Sequence, residues 1–177
     1  MIDPITSLPY ELAAEILTTW LKLESVVRLD TAYCRRSVRR HFLKMLSWRR
    51  FSLATATKSK VEFLLWTCAR GINVSRLVFT ETLCTADVSR SVKKSTNLRT
   101  VVLNGLDITD TRGILAALAF HCKNIRVLEV FACTLDRSLW DVLDRNRELR
   151  ELSLLSCDSS PSVDFRGLRC PKIELLN

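Results

Sequence analysis

The segments Leu98-Arg99-Thr100-Val101-Val102-Leu103, Ile125-Arg126-Val127-Leu128-Glu129-Val130 and Leu149-Arg150-Glu151-Leu152-Ser153-Leu154 share one form: apolar, two variable residues, apolar, variable, apolar. Val74-Ser75-Arg76-Leu77-Val78-Phe79 and Trp48-Arg49-Arg50-Phe51-Ser52-Leu53 follow it more loosely, and Ile173-Glu174-Leu175-Leu176 begins another. These segments start at residues 48, 74, 98, 125, 149 and 173, a step of 24 to 27 residues. Alternating apolar positions in so short a run read as a strand with one buried face. The stretches between them carry helical spacing instead. Lys58–Cys68 has Val61, Leu64 and Leu65, and Ala86–Lys94 has Val88 and Val92. Asp110–His121 has Ile114, Leu115, Leu118 and Ala119, with Asp110 as a cap. Asp136–Asn146 has Leu139, Trp140, Val142 and Leu143, again opened by an Asp. The connection from Ser159-Ser160-Pro161 to Arg169 is polar and Pro-interrupted, which predicts a turn or irregular segment.

A strand and a helix recurring at this period resemble leucine-rich repeats. Residues 48–177 would hold about five such repeats and the start of a further strand. Cys133 and Cys157 stand where that family places Asn or Cys at the turn from strand to helix; Thr82 and Leu106 replace them in earlier repeats. The expected fold class is α/β, with a curved solenoid of parallel strands inside and helices outside. An ordinary doubly wound sheet would use more Gly-rich turns and would not keep this period. The variable strand positions project from the sheet while the Leu positions enter the core. The concave face would then offer Arg76, Arg99, Arg126 and Arg150 beside an apolar strip of Val78, Val102, Val127 and Phe131. Arg with exposed apolar side chains is a composition suited to binding a target protein. The bland reading is that Arg solvates the sheet and blocks edge pairing.

Residues 5–47 have a different character. In Leu8-Pro9-Tyr10-Glu11-Leu12-Ala13-Ala14-Glu15-Ile16-Leu17-Thr18-Thr19-Trp20-Leu21, Pro9 suits the first turn of a helix, where its missing N–H costs nothing. Two apolar stripes follow at i, i+4, i+8: Leu12, Ile16 and Trp20, then Ala13, Leu17 and Leu21. One stripe would satisfy the core of a small helical unit, so the second is left for a partner or a later part of the chain. Ser25 is a candidate cap for a second helix with Val26, Leu29, Ala32 and Tyr33. Asp30 or Thr31 would cap a third, with Val38, Phe42 and Met45. This stretch resembles an F-box, matching it at Leu8, Pro9, Glu11, Leu12, Ile16, Leu17, Leu21, Leu29, Cys34, Arg35 and Arg36. It departs at Tyr33, Ser37 and Lys22-Leu23-Glu24.

The chain has 177 residues, 47% of them hydrophobic, with four Gly and four Pro, so a core is affordable and no long linker is evident. No apolar run is long enough to cross a bilayer, and the opening Met1-Ile2-Asp3-Pro4 is not a signal peptide; a soluble intracellular protein, cytoplasmic or nuclear, is expected. Seven Cys are scattered without a C-x-x-C pair, and His41 and His121 are the two His, so reduced structural cysteines and no metal site are expected. No phosphate-cradling Gly loop or Ser/Cys–His pattern is visible, hence no enzyme and no cofactor is expected. The net charge of +8 is concentrated between Arg35 and Arg50, where no acid occurs. Those residues interleave with the apolar ones of the third helix and read first as a solvated face, with nucleic acid the weaker alternative.

The two resemblances together imply a substrate-recognition subunit of a Skp–cullin–F-box ubiquitin ligase. Leu8, Pro9, Leu12, Ile16, Leu17 and Leu21 would contact a Skp-type adaptor and, through it, a cullin, while the repeats hold a target protein. Other readings stay open. The helices could simply cap a free-standing repeat scaffold, or the basic stretch could bind nucleic acid. The last strand, followed only by Asn177, is expected to leave the array uncapped and prone to self-association.

Overall fold

A computed structural model describes residues 7–19, 23–33, 35–47, 53–54, 61–80, 85–95, 97–159 and 173–176. The chain opens with three helices: α1 (Tyr10–Thr19), α2 (Leu23–Ala32) and α3 (Arg36–Leu46). The carbonyl of Pro9 accepts from the Ala13 N–H at 3.0 Å, so Pro9 stands at the entry to the first turn. Ala13, Ala14, Leu17, Val26, Phe42, Met45 and Leu46 are buried together, with the Tyr33 ring 4.8 Å from that of Phe42. The expected caps are not used. Ser25 falls inside α2, which begins at Leu23. Asp30 and Thr31 also lie within α2, and α3 starts after Arg35, whose side chain makes no capping hydrogen bond.

Strand and helix then alternate: β1 (Leu53–Ala54), α4 (Val61–Arg70), β2 (Val74–Thr80), α5 (Thr85–Lys94), β3 (Thr100–Asn104), α6 (Ile108–His121), β4 (Val127–Phe131). After a two-residue β5 (Thr134–Leu135) come α7 (Ser138–Arg145), β6 (Glu151–Leu155), β7 (Asp158–Ser159) and β8 (Ile173–Leu176). The protein is thus mixed α/β. Six strands form one sheet in the order β1-β2-β3-β4-β6-β8, and β5 pairs with β7. Every pairing is parallel. A parallel pair needs a crossover between its strands, and the intervening segments supply it.

Equivalent apolar positions stack in register. Leu77 pairs with Val101, Val101 with Leu128, and Leu128 with Leu152; one step along, Phe79, Leu103, Val130 and Leu154 form a second row. All eight are buried, and they share one core with Val88, Val92, Ile114, Leu115, Leu118, Leu139 and Val142 from the helices. Leu65, expected in the core, is 37% exposed on α4, where Phe63 packs inward instead. The side chains of Val61 and Leu64 and the connection over residues 160–172 lie outside the described residues, as does Thr82.

The helix starts differ slightly from expectation. Asp107, not Asp110, caps α6: its carboxylate accepts from the Asp110 N–H at 2.8 Å. At α7 the expected Asp sits one residue ahead of the cap position Arg137, with Asp136 accepting from the Ser138 backbone at 3.0 Å and also from its hydroxyl. Each of β3, β4 and β6 is followed by a left-handed residue: Gly105 (φ 67°), Ala132 (φ 48°) and Ser156 (φ 52°). That turn drops the chain toward the buried Cys133 and half-buried Cys157. The Cys133 thiol donates to the Phe131 carbonyl, and its sulfur receives the Leu106 N–H. Cys157 donates to Val130 and Leu155 in the same way.

Candidate binding surfaces

Helix α1 presents its two stripes to different surroundings. Ala13 and Leu17 are fully buried, whereas Leu12 is 50% and Ile16 37% exposed. Pro9 is exposed, and Leu8 is half-buried against the helical core. Of the six residues expected at an adaptor surface, Pro9, Leu12 and Ile16 are therefore available to a partner. Leu17 is core and Leu8 is partly so; Leu21, like Trp20, lies outside the described residues.

The three helices are joined to α4 by a polar bridge that sequence spacing did not reveal. The side chain of Asp30, 3% exposed, pairs with Arg39 at 3.0 Å and with Arg70 at 3.1 Å. The Trp66 indole N–H donates to the same carboxylate at 3.3 Å. Burial by itself would raise the Asp30 carboxyl, but hydrogen bonds from Arg39 and Trp66 and the charges of Arg70 and Arg39 outweigh it and hold the group below its ordinary value. Trp66 and Ile72 also pack on the helical core. Of the basic stretch, Arg39 is thus committed to Asp30. Arg36, Arg40 and Lys44 remain exposed on α3, as does Arg35 just before it, while Arg49 and Arg50 lie outside the described residues.

The second surface is the sheet face turned away from the helices. Its rows read Arg76–Thr100–Val127–Glu151, then Val78–Val102–Glu129–Ser153, then Thr80–Asn104–Phe131–Leu155. The apolar residues Val78, Val102, Val127 and Phe131 do not share one row: Glu129 interrupts the Val78–Val102 line, and Val102 is only 6% exposed. Around the start of each of β2, β3, β4 and β6, two successive residues avoid burial: Ser75 and Arg76, Arg99 and Thr100, Arg126 and Val127, Arg150 and Glu151. Bulge-like hydrogen bonding allows this, for the Arg99 carbonyl accepts both Arg126 N–H (2.7 Å) and Val127 N–H (3.0 Å). The Arg126 carbonyl does the same for Arg150 and Glu151. Arg99 and Arg150 are exposed; Arg126 reaches Glu148 at 3.4 Å.

The helical side carries one contact between residues far apart in sequence. Ser89 on α5 lies 3.4 Å from the His121 ring of α6, whose other neighbour is the edge-on ring of Phe120. Among the described residues no carboxylate pairs with His121. Phe120 itself is 71% exposed. No group of three or more metal-ligating residues occurs among the described residues. Burial raises the thiols of Cys68 and Cys133 and pushes Cys122 up to about 12. Among the described residues no helix is long and apolar enough to cross a membrane. Compared with known proteins, the chain matches no protein-family model and shows no significant similarity to a curated protein.

Proposed function

We propose that the chain is an F-box-type protein with leucine-rich repeats, acting as the substrate-recognition subunit of a Skp–cullin–F-box ubiquitin ligase. The chemistry of ubiquitin transfer would occur on other subunits, and this chain would supply proximity and orientation. The observation that carries the reading is the divided α1 helix. A helix that buries Ala13 and Leu17 has met its own packing need, yet Leu12 and Ile16 remain open beside the exposed Pro9. An apolar stripe left in water next to a satisfied core is a feature of a docking surface. The six-stranded parallel sheet with registered Leu positions supports a repeat array whose open face, carrying Arg76, Arg99, Arg126 and Arg150, holds the target.

Co-purification with a Skp-type adaptor tests this. The wild-type chain should capture the adaptor, and Leu12→Ala with Ile16→Ala should lose it while keeping its melting temperature. Each half-exposed side chain would bury apolar surface worth about 1–1.5 kcal/mol against the adaptor, so the double loss is about 30- to 150-fold in affinity. Leu17→Ala should instead destabilise the chain by about 2–5 kcal/mol. Failure of the wild-type chain to bind the adaptor would overturn the reading.

A repeat scaffold whose helices serve as an N-terminal cap is the second reading, favoured by the Asp30 bridge. Arg70 and Trp66 on α4 reach into α2, and Ile72 joins the helical core, as they would beneath a cap. A cap alone gives Leu12 and Ile16 no partner, so adaptor capture separates the two.

A further inference from the structure

We infer that Arg99, Arg126 and Arg150 form an anion-recognition ladder, and that its ligand is an extended, carboxylate-rich segment of a partner protein. This inference rests on reading the open sheet face as the target-binding surface, and names the kind of target. The three Arg are locked in line by the backbone. Arg99 N–H donates to Ser75 at 2.9 Å, Arg126 N–H to Arg99 at 2.7 Å, and Arg150 N–H to Arg126 at 2.8 Å. Adjacent strands lie about 4.8 Å apart, so successive Arg side chains start at that spacing along the N-terminal ends of the strands.

Like charges on neighbouring strands repel, and exposed positions are free to carry almost any polar residue. A ladder of three Arg is therefore an arrangement that folding alone does not favour. Glu148 meets Arg126 at 3.4 Å and is itself 64% exposed, and among the described residues no ion pair reaches Arg99 or Arg150. Guanidinium groups match carboxylates in planar, two-pronged hydrogen bonds, and three in a row fit a short acidic run crossing the strands. Half-buried Val127, directly following Arg126, offers apolar contact to the methylene stems of such a run.

The same face disfavours a nucleic acid. Glu129 and Glu151 stand on it and would repel a continuous phosphate backbone. Phe131 is the one aromatic side chain in its three described rows, whereas single strands are held by successive stacked bases. A peptide can confine its carboxylates to the ladder and leave those Glu facing its neutral residues.

Fluorescence anisotropy on the full chain, with a labelled octapeptide of alternating glutamate and alanine, tests the assignment. Binding should weaken as salt rises from 50 to 300 mM, and Arg99→Gln with Arg150→Gln should weaken it at least about tenfold. The double variant should melt no lower than wild type, since repulsion is removed and no buried contact is lost; this keeps misfolding from imitating the result. Arg36→Gln with Arg40→Gln on α3, which removes the same charge elsewhere, should leave affinity within about twofold. Equal losses from both double variants would mean net charge alone is read, and would overturn the inference. So would absence of peptide binding, or tighter binding of an oligothymidylate that the ladder variant abolishes. Adaptor capture is measured separately, so a chain that binds the adaptor but not the peptide refutes the ladder and leaves the ligase reading standing.

Discussion

Asp30 lies almost wholly out of solvent and remains ionised because three donors from two other helices converge on it. Removing one member of such a group leaves the others partly desolvated and unpaired. Arg39 and Arg70 are 41% and 29% exposed, so water can recover some of that loss. Asp30→Asn should therefore cost about 1–3 kcal/mol at neutral pH. The pH dependence follows from a folded pKa below the unfolded one. The contribution is complete above the ordinary carboxyl value of 3.8 and disappears as pH falls through the lower folded value. Melting curves of wild type and Asp30→Asn taken from pH 6 to pH 2.5 should draw together as pH falls below 3.8. A constant offset over that range would show that the charge is not what stabilises. None of this was legible in the sequence, where Asp30 reads as a helix cap: its partners Trp66 and Arg70 are 36 and 40 residues away.

The strands and helices themselves were largely legible, because apolar periodicity is a local property and each repeat carries it independently. Their ends were less so. Sequence suggested Asp110 as the cap of α6, yet Asp107 fills that role three residues earlier, since either Asp could start the same apolar pattern. The left-handed residues closing β3, β4 and β6 were hidden for a similar reason: Gly105 signals such a turn, but Ala132 and Ser156 do not. For an L residue that conformation costs about 1 kcal/mol or more. Ala132→Gly should thus stabilise the chain by up to about 1 kcal/mol, less whatever the freer unfolded chain takes back. Gly105→Ala should destabilise it by about 1 kcal/mol through backbone strain alone, because a Cβ there would meet no atom within 4 Å. Urea titrations of the two variants should shift in opposite directions, and a shared direction would show that the turn geometry is not the governing term.

Across the whole molecule, the Asp30 bridge and the packing of Trp66 and Ile72 tie the opening helices to the first strand–helix unit. Heat should then unfold the chain in one transition seen alike by far-ultraviolet circular dichroism and tryptophan fluorescence. Asp30→Asn combined with Ile72→Ala should split it into two. Two transitions in the wild-type chain would mean the helices fold apart from the sheet. The sequence by itself determined the alternation of strand and helix, the stacking of Leu77, Val101, Leu128 and Leu152, and the presence of two apolar stripes on α1. Each of these is written in the spacing of neighbouring residues, and a parallel sheet follows once the same spacing recurs. Only the tertiary structure decided that Ala13 and Leu17 turn inward while Leu12 and Ile16 stay in water. It also buried Val102, committed Arg39 to Asp30, and brought Ser89 to His121. The physical reason is common to all of these. Periodicity states that a face is apolar or a strand position outward, but what covers that face depends on contacts between residues distant in sequence, and no local pattern encodes them.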